Sequence, residues 1–169
     1  MIKPNTKVPE LTVNLINGTK WELQKQDPKE YTLIVFYRGL HCPVCKKYLE
    51  DLKTKLDDFS ERGVNVIAIS MDTEGKAQKT GKQWDVSSLP IGFELSEDAA
   101  REWGLYISNG IKDEEPEVFS EPGLFLIKSD GNLYCSALQT MPFARPDFEE
   151  LLSAIDFVKK NDYPARGGK

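Results

Sequence analysis

At 169 residues the chain is long enough to bury the hydrophobic core of one domain without disulfide staples, and residues 1–169 read as that single domain. Its 40% hydrophobic and 29% charged residues are the balance of an ordinary soluble globular protein, and a formal net charge of −5 argues against nucleic acid or an anionic membrane as the main partner. No apolar run approaches the ~18 residues that span a bilayer, and the amino terminus, Met1 to Glu10, lacks the apolar centre of a secretory signal, so the expected home is cytoplasmic.

The chain shows no internal repeat and no low-complexity tract. Asn17-Gly18, between two short apolar runs, predicts a hairpin with a type I′ turn. Tyr31 to Tyr37 is nearly unbroken in apolar residues and suits a central strand covered on both faces. Pro43 to Arg62 reads as one helix, because Leu49, Leu52, Leu56 and Phe59 step by three and four along a single face and Gly63 stands ready to end it. A second buried strand follows at Val64–Ile69, then a weaker helix from Thr73 to Trp84 interrupted by Gly75 and Gly81. Leu89–Phe93 reads as a short strand and Ser96–Trp103 as a short helix with Ser96 as its N-cap.

The charged segment Ile111–Glu117 has two readings, a solvated acidic loop or a segment that covers the site or touches a partner. Gly123–Ile127 and Asn132–Ala137 flank Asp130-Gly131 as an antiparallel hairpin. A last helix is expected to begin near Pro146, with Phe148, Leu151, Leu152, Ile155 and Val158 as its apolar stripe. This order predicts an α/β fold, a mixed central sheet with helices on both faces and right-handed crossovers.

The chemistry gathers at Cys42-Pro43-Val44-Cys45. Three cysteines are too few for a disulfide scaffold, and a zinc site would need two more ligands at usable spacing, of which Cys135 supplies at most one, the one histidine, His41, lying immediately beside the pair. No metal and no cofactor are therefore expected. A C-x-x-C at a strand-to-helix junction within a βαβ pattern is a redox signature. A helix amino terminus favours thiolate over thiol, so Cys42 is the expected nucleophile and Cys45, about one turn on, the resolving partner. Pro43 fits the first helical position. His41 adjoins the nucleophile as a cation that steadies the thiolate or a base that relays its proton; an exposed loop residue is its alternative. Arg38 is expected to lower the thiol's pKa if its guanidinium lies near. Cys135 reads as a small strand residue, and Trp21, Trp84 and Trp103 as packing.

Phe36-Tyr-Arg-Gly-Leu-His-Cys-Pro-Val-Cys45, the Glu121–Gly131 segment and the closing helix resemble the peroxiredoxin-like branch of the alkyl hydroperoxide reductase/thiol-specific antioxidant family. The likeness runs from about Val8 to Val158 and also extends to Pro142-Phe-Ala-Arg-Pro146 and the tail Pro164-Ala-Arg-Gly167. It implies a thioredoxin-like fold with an added amino-terminal hairpin. Peroxidases of the family carry P-x-x-x-T/S-x-x-C, whose last cysteine attacks peroxide. That place here is Cys45, with Cys42 in the Thr/Ser place, Arg38 in the Pro place, and Pro122 where a later Arg stands. Thioredoxin-type enzymes put the nucleophile first, here Cys42, and face it with a proline, usually cis, before a strand. Pro122 matches that proline as a substrate-binding support, while Phe36 stands where they bury an acid.

The leading expectation is thus a thiol–disulfide oxidoreductase working through the dithiol. The alternatives are a thiol-dependent peroxidase acting on hydrogen peroxide or organic hydroperoxides, and a non-catalytic redox-sensing domain. Expected partners are a disulfide-containing protein or a small thiol or peroxide, together with a thioredoxin- or glutathione-type electron donor or acceptor; an oligomer is compatible with all three readings.

Overall fold

The computed structural model describes residues 1–169. Strands β1 (Thr12–Leu15) and β2 (Lys20–Glu22) form the amino-terminal hairpin, with Val13 opposite Trp21. Its turn is not type I′. Only Gly18 takes a positive φ, +86°; its N–H donates to the Leu15 carbonyl at 2.9 Å, and the Leu15 N–H reaches the Thr19 carbonyl at 2.8 Å. This is a three-residue loop, a type I turn closed by a left-handed glycine. Asn17 serves it through its side chain, whose Oδ1 accepts the Thr19 N–H at 2.9 Å.

Strand β3 (Tyr31–Phe36) is buried at all six positions. A loop then delivers the chain to α1 (Pro43–Thr54). The helix expected to run unbroken to Arg62 is in fact two, because α2 (Leu56–Glu61) is set off by Lys55 at φ −110°, ψ 7°. The Lys55 N–H turns to the Leu52 carbonyl three residues back, tightening the last turn of α1. The apolar spacing hides this break. Leu52 and Phe59 stay fully buried on either side of it, while Leu56 is half-buried.

Gly63 at φ +78° ends α2, and β4 (Val64–Ile69) runs parallel to β3 in full register. Helix α3 (Glu74–Gln83) is capped by Thr73, β5 (Ile91–Phe93) follows, and α4 (Glu97–Glu102) is capped by Ser96, whose Oγ accepts the Ala99 N–H at 3.1 Å. Next come β6 (Ile107–Asn109) and β7 (Val118–Ser120), paired as a separate two-stranded ribbon whose tip is the acidic segment. Strands β8 (Gly123–Lys128) and β9 (Leu133–Leu138) make the expected hairpin. Helix α5 (Phe148–Asn161) starts two residues later than Pro146 as its first position suggests. Asp147 is its cap, accepting the Glu150 N–H at 3.0 Å, so the proline precedes the helix.

The main sheet has the order β2-β1-β5-β4-β3-β8-β9, parallel from β3 through β4 to β5 and antiparallel elsewhere. Side chains along β3 alternate faces. Leu33 and Val35 join Leu49, Leu52, Phe148, Leu152 and both Cys42 and Cys45 on one face. Ile34 and Phe36 join Trp103 and Phe125 on the other, where Trp103 lies 5.5 Å from Phe36 and 5.0 Å from Phe125 between ring centroids. Each fully buried aromatic contributes about 1.5–3 kcal/mol by leaving water. The outcome is the expected α/β fold, a mixed sheet covered on both faces in a thioredoxin-like arrangement. No helix is long and apolar enough to cross a membrane.

Candidate active site

The dithiol is placed by the loop that follows β3. Tyr37 still donates to the Ile69 carbonyl at 3.0 Å, and the chain then turns at Gly39, whose φ of +131° is open to glycine and to few other residues. The carboxylate of Asp72 fills the space where a side chain at Gly39 would go. Its Oδ2 accepts the Leu40 N–H at 2.8 Å, and the Cys42 N–H closes the loop onto the Gly39 carbonyl at 3.1 Å. Asp72 is 2% exposed, and burial raises its carboxyl above the usual range, opposed by the Leu40 N–H and by Lys76. Sequence reasoning missed this acid because it stands past the end of β4, far from the cysteines in the chain.

Cys42 is the N-cap of α1, in extended geometry at φ −103°, ψ 100°, and Pro43 occupies the first helical position. The Cys42 Sγ accepts the Cys45 N–H at 3.1 Å. A sulfur so placed receives one of the helix's unpaired donors and the positive end of its dipole, and both stabilise a thiolate there. The two sulfurs are joined as a disulfide, with Cα atoms 5.2 Å apart. Cys42 is 1% exposed and Cys45 0%, so the pair is enclosed.

Phe119 of β7 closes one side. Its ring centroid lies 4.8 Å from that of His41 and 4.6 Å from the Arg38 guanidinium carbon. Burial pushes the His41 imidazole down to about 4, helped by the positive charge of Arg38, and neither ring nitrogen has a hydrogen-bond partner. His41 is therefore neutral near pH 7. It does not supply the cation expected beside the dithiol, and a ring that titrates so low is a weak base.

Arg38 is paired with two carboxylates. Its Nη2 lies 3.8 Å from Glu115 Oε1 and its Nε 3.4 Å from Glu121 Oε2, so the β6–β7 ribbon and its following residue neutralise it. Glu121 is 4% exposed and also accepts the Ser108 hydroxyl at 2.7 Å. The acidic segment thus reaches the site through Glu115, its second reading rather than its first.

Pro122 departs from the cis proline of the thioredoxin-type pattern. Every peptide bond in the chain is trans. The Glu121 N–H is spent on the Tyr106 carbonyl at 2.7 Å, and the Pro122 carbonyl accepts the Gln139 N–H at 3.0 Å, so these two groups are not free for a substrate strand. Pro122 instead lines a closed hollow with Tyr48 and Arg145. Cys135 lies on β9, half-buried, with its thiol pushed up to about 11 by burial. No group of three or more His, Cys, Asp or Glu side chains converges as a metal would require.

Comparison with known proteins agrees with this geometry. The AhpC/TSA family model matches residues 4–135. A Mycobacterium tuberculosis protein bearing a peroxiredoxin name is 30% identical over 109 residues, which is 62% of this chain and 66% of that protein. Alkyl hydroperoxide reductase C of Helicobacter pylori is 22% identical over 162 residues, 92% of this chain and 77% of that one. Among solved structures, peroxidoxin BcpB of M. tuberculosis shares the fold, with a TM-score of 0.76 at 16% identity across 94% of this chain and 99% of that chain. The family match begins ahead of β1, takes in the whole dithiol loop and runs into β9: the chain belongs to the AhpC/TSA family.

Proposed function

We propose that the chain is a two-cysteine thiol peroxidase for small hydroperoxides, in which Cys42 attacks and Cys45 resolves. The observation that carries this reading is the Cys42 Sγ at the N-cap of α1, receiving the Cys45 N–H at 3.1 Å. The enclosure of both sulfurs supports a small substrate, since a protein disulfide has no approach to groups 1% and 0% exposed. The Cys42 thiol gives its proton to solvent, since His41, brought down to about 4 by burial, is too weak a base to take it. The thiolate attacks one peroxide oxygen, the O–O bond breaks, and the leaving alkoxide or hydroxide is protonated by water. Cys42 is left as a sulfenic acid. The Cys45 thiol then attacks that sulfur, expels water and forms the disulfide, and a thiol donor returns two electrons.

Thiol–disulfide exchange on a small disulfide is the second reading. It is favoured by the residues in the peroxidase-pattern places, Arg38, Cys42 and Pro122, and by the ion pairs that occupy Arg38. Turnover with a dithiol donor separates the two. Steady hydroperoxide consumption, with a small disulfide left unreduced, supports the peroxidase; the reverse pattern establishes exchange. Turnover of neither would leave a redox-sensing domain.

A further inference from the structure

The strap at the tip of the β6–β7 ribbon carries four acids and turns one of them inward. Asp113, Glu114 and Glu117 are exposed, while the Glu115 side chain keeps 10% of its surface open and its Oε1 lies 3.8 Å from Arg38 Nη2. Local bonds fix that direction. Glu115 Oε2 accepts the Ile111 N–H at 2.7 Å, the Glu115 N–H donates to the Lys112 carbonyl at 3.1 Å, and the Gly110 N–H closes the strap on the Glu117 carbonyl at 2.9 Å. The Ile111 N–H holds the Glu115 carboxyl below the usual range, so it is ionised at neutral pH.

Arg38 is held from a second side. Glu121, 4% exposed, lies 3.4 Å from Nε and is anchored in turn by the Ser108 hydroxyl at 2.7 Å. A guanidinium is suited to grip an incoming carboxylate, and here two of its nitrogens already face carboxylates of the same chain. The place of this pairing matters. After burial, the influences on the His41 imidazole are the charges of Arg38, Glu115 and Lys76, and His41 is bonded to Cys42. Consecutive Cα atoms lie about 3.8 Å apart, well inside the ~8 Å over which a charge is felt at physiological ionic strength. An anion arriving at Cys42 is therefore drawn by Arg38 and Lys76 and repelled by Glu115.

We infer that Glu115 is a specificity-determining residue for substrate charge: it keeps Arg38 Nη2 from pairing with an incoming carboxylate, so the site favours neutral hydroperoxides over carboxylate-bearing ones. A hydroperoxide that carries a carboxylate has to displace Glu115 from Arg38 or approach against its charge. A neutral one does neither. The inference rests on the peroxidase reading for the reaction and adds to it the charge class of the substrate.

Two paired measurements test it on the parent, Glu115→Gln and Glu114→Gln. The first compares alkylation of reduced Cys42 by anionic iodoacetate and neutral iodoacetamide, followed by peptide mass. Glu115→Gln is expected to raise the iodoacetate-to-iodoacetamide rate ratio by about tenfold at low ionic strength, and added salt to erase most of the gain. Glu114→Gln removes the same charge from an exposed place on the same strap and is expected to move the ratio by less than about twofold. The second measurement is kcat/KM for a carboxylate-bearing hydroperoxide, β-hydroperoxyisovalerate, and for its methyl ester. Glu115→Gln is expected to raise the acid about tenfold relative to the ester, with tert-butyl hydroperoxide turnover close to the parent's. Unchanged ratios in folded Glu115→Gln, or an equal change in Glu114→Gln, would overturn the inference. A parent that consumes no hydroperoxide, while the alkylation ratio still shifts in Glu115→Gln alone, would sink the peroxidase reading and leave charge selection by Glu115 supported.

Discussion

Cys42 and Cys45 are bound to each other twice, once through their sulfurs and once through the Cys45 N–H, which points at the Cys42 Sγ from 3.1 Å. On the proposed cycle the second link is expected to outlast the first, because the Cys45 N–H is already aimed at the sulfur proposed to carry the charge.

The loop that presents Cys42 hangs on one side-chain acceptor. Asp72→Ala removes the partner of the Leu40 N–H and empties the space against Gly39. A loss of about 1–3 kcal/mol in denaturant unfolding is expected, the cost of a stranded donor. Asp72→Asn, which retains an acceptor oxygen, is expected to lose less than about 1 kcal/mol.

Phe119 is 1% exposed and holds the ribbon against His41 and Arg38. Phe119→Ala is expected to destabilise the fold by about 3–5 kcal/mol. It should also speed alkylation of the reduced cysteines, because the wall over the enclosed pair is removed. Iodoacetamide kinetics under native conditions check the second effect independently of the first.

Arg38 and Glu121 form a buried charge pair, and breaking it from the basic side strands the acid. Arg38→Met is expected to cost about 3–5 kcal/mol, since Glu121 at 4% exposure keeps an uncompensated carboxylate. Glu115→Gln, which keeps the side chain's shape on the longer 3.8 Å arm of the same arginine, is expected to shift the urea midpoint far less.

His41 has a folded-state pKa near 4 against 6.5 for the free imidazole. Between those values the unfolded chain binds more protons than the folded one, so stability rises with pH across this window. The contribution is complete above about pH 6.5 and is lost as pH falls toward 4. His41→Gln is expected to flatten that part of the acid limb in urea midpoints measured at stepped pH, leaving the carboxylate-driven loss at lower pH in place.

Much of this was legible in the residue order, and the failures have physical causes. The unbroken apolar run of β3 and the stripe of α5 report burial directly, because few structures satisfy such spacing. Lys55 escaped notice because shifting one N–H from the fourth to the third carbonyl back leaves the apolar period intact. The β6–β7 ribbon has three-residue strands, too short for any period to show, and its role depends on Arg38 lying some eighty residues away in the chain. Pro122 was read by its place before a strand, yet its role turns on which neighbouring N–H groups are already taken.

The most direct measurement is stopped-flow oxidation of the two reduced single-cysteine variants by hydrogen peroxide, with the product trapped by a sulfenic-acid reagent. Cys45→Ser is expected to keep the parent's rapid phase and to stop with the trapped sulfenic acid on Cys42, while Cys42→Ser shows free-thiol rates and little adduct. A rapid phase that survives in Cys42→Ser and vanishes in Cys45→Ser would contradict the account and make Cys45 the attacking sulfur.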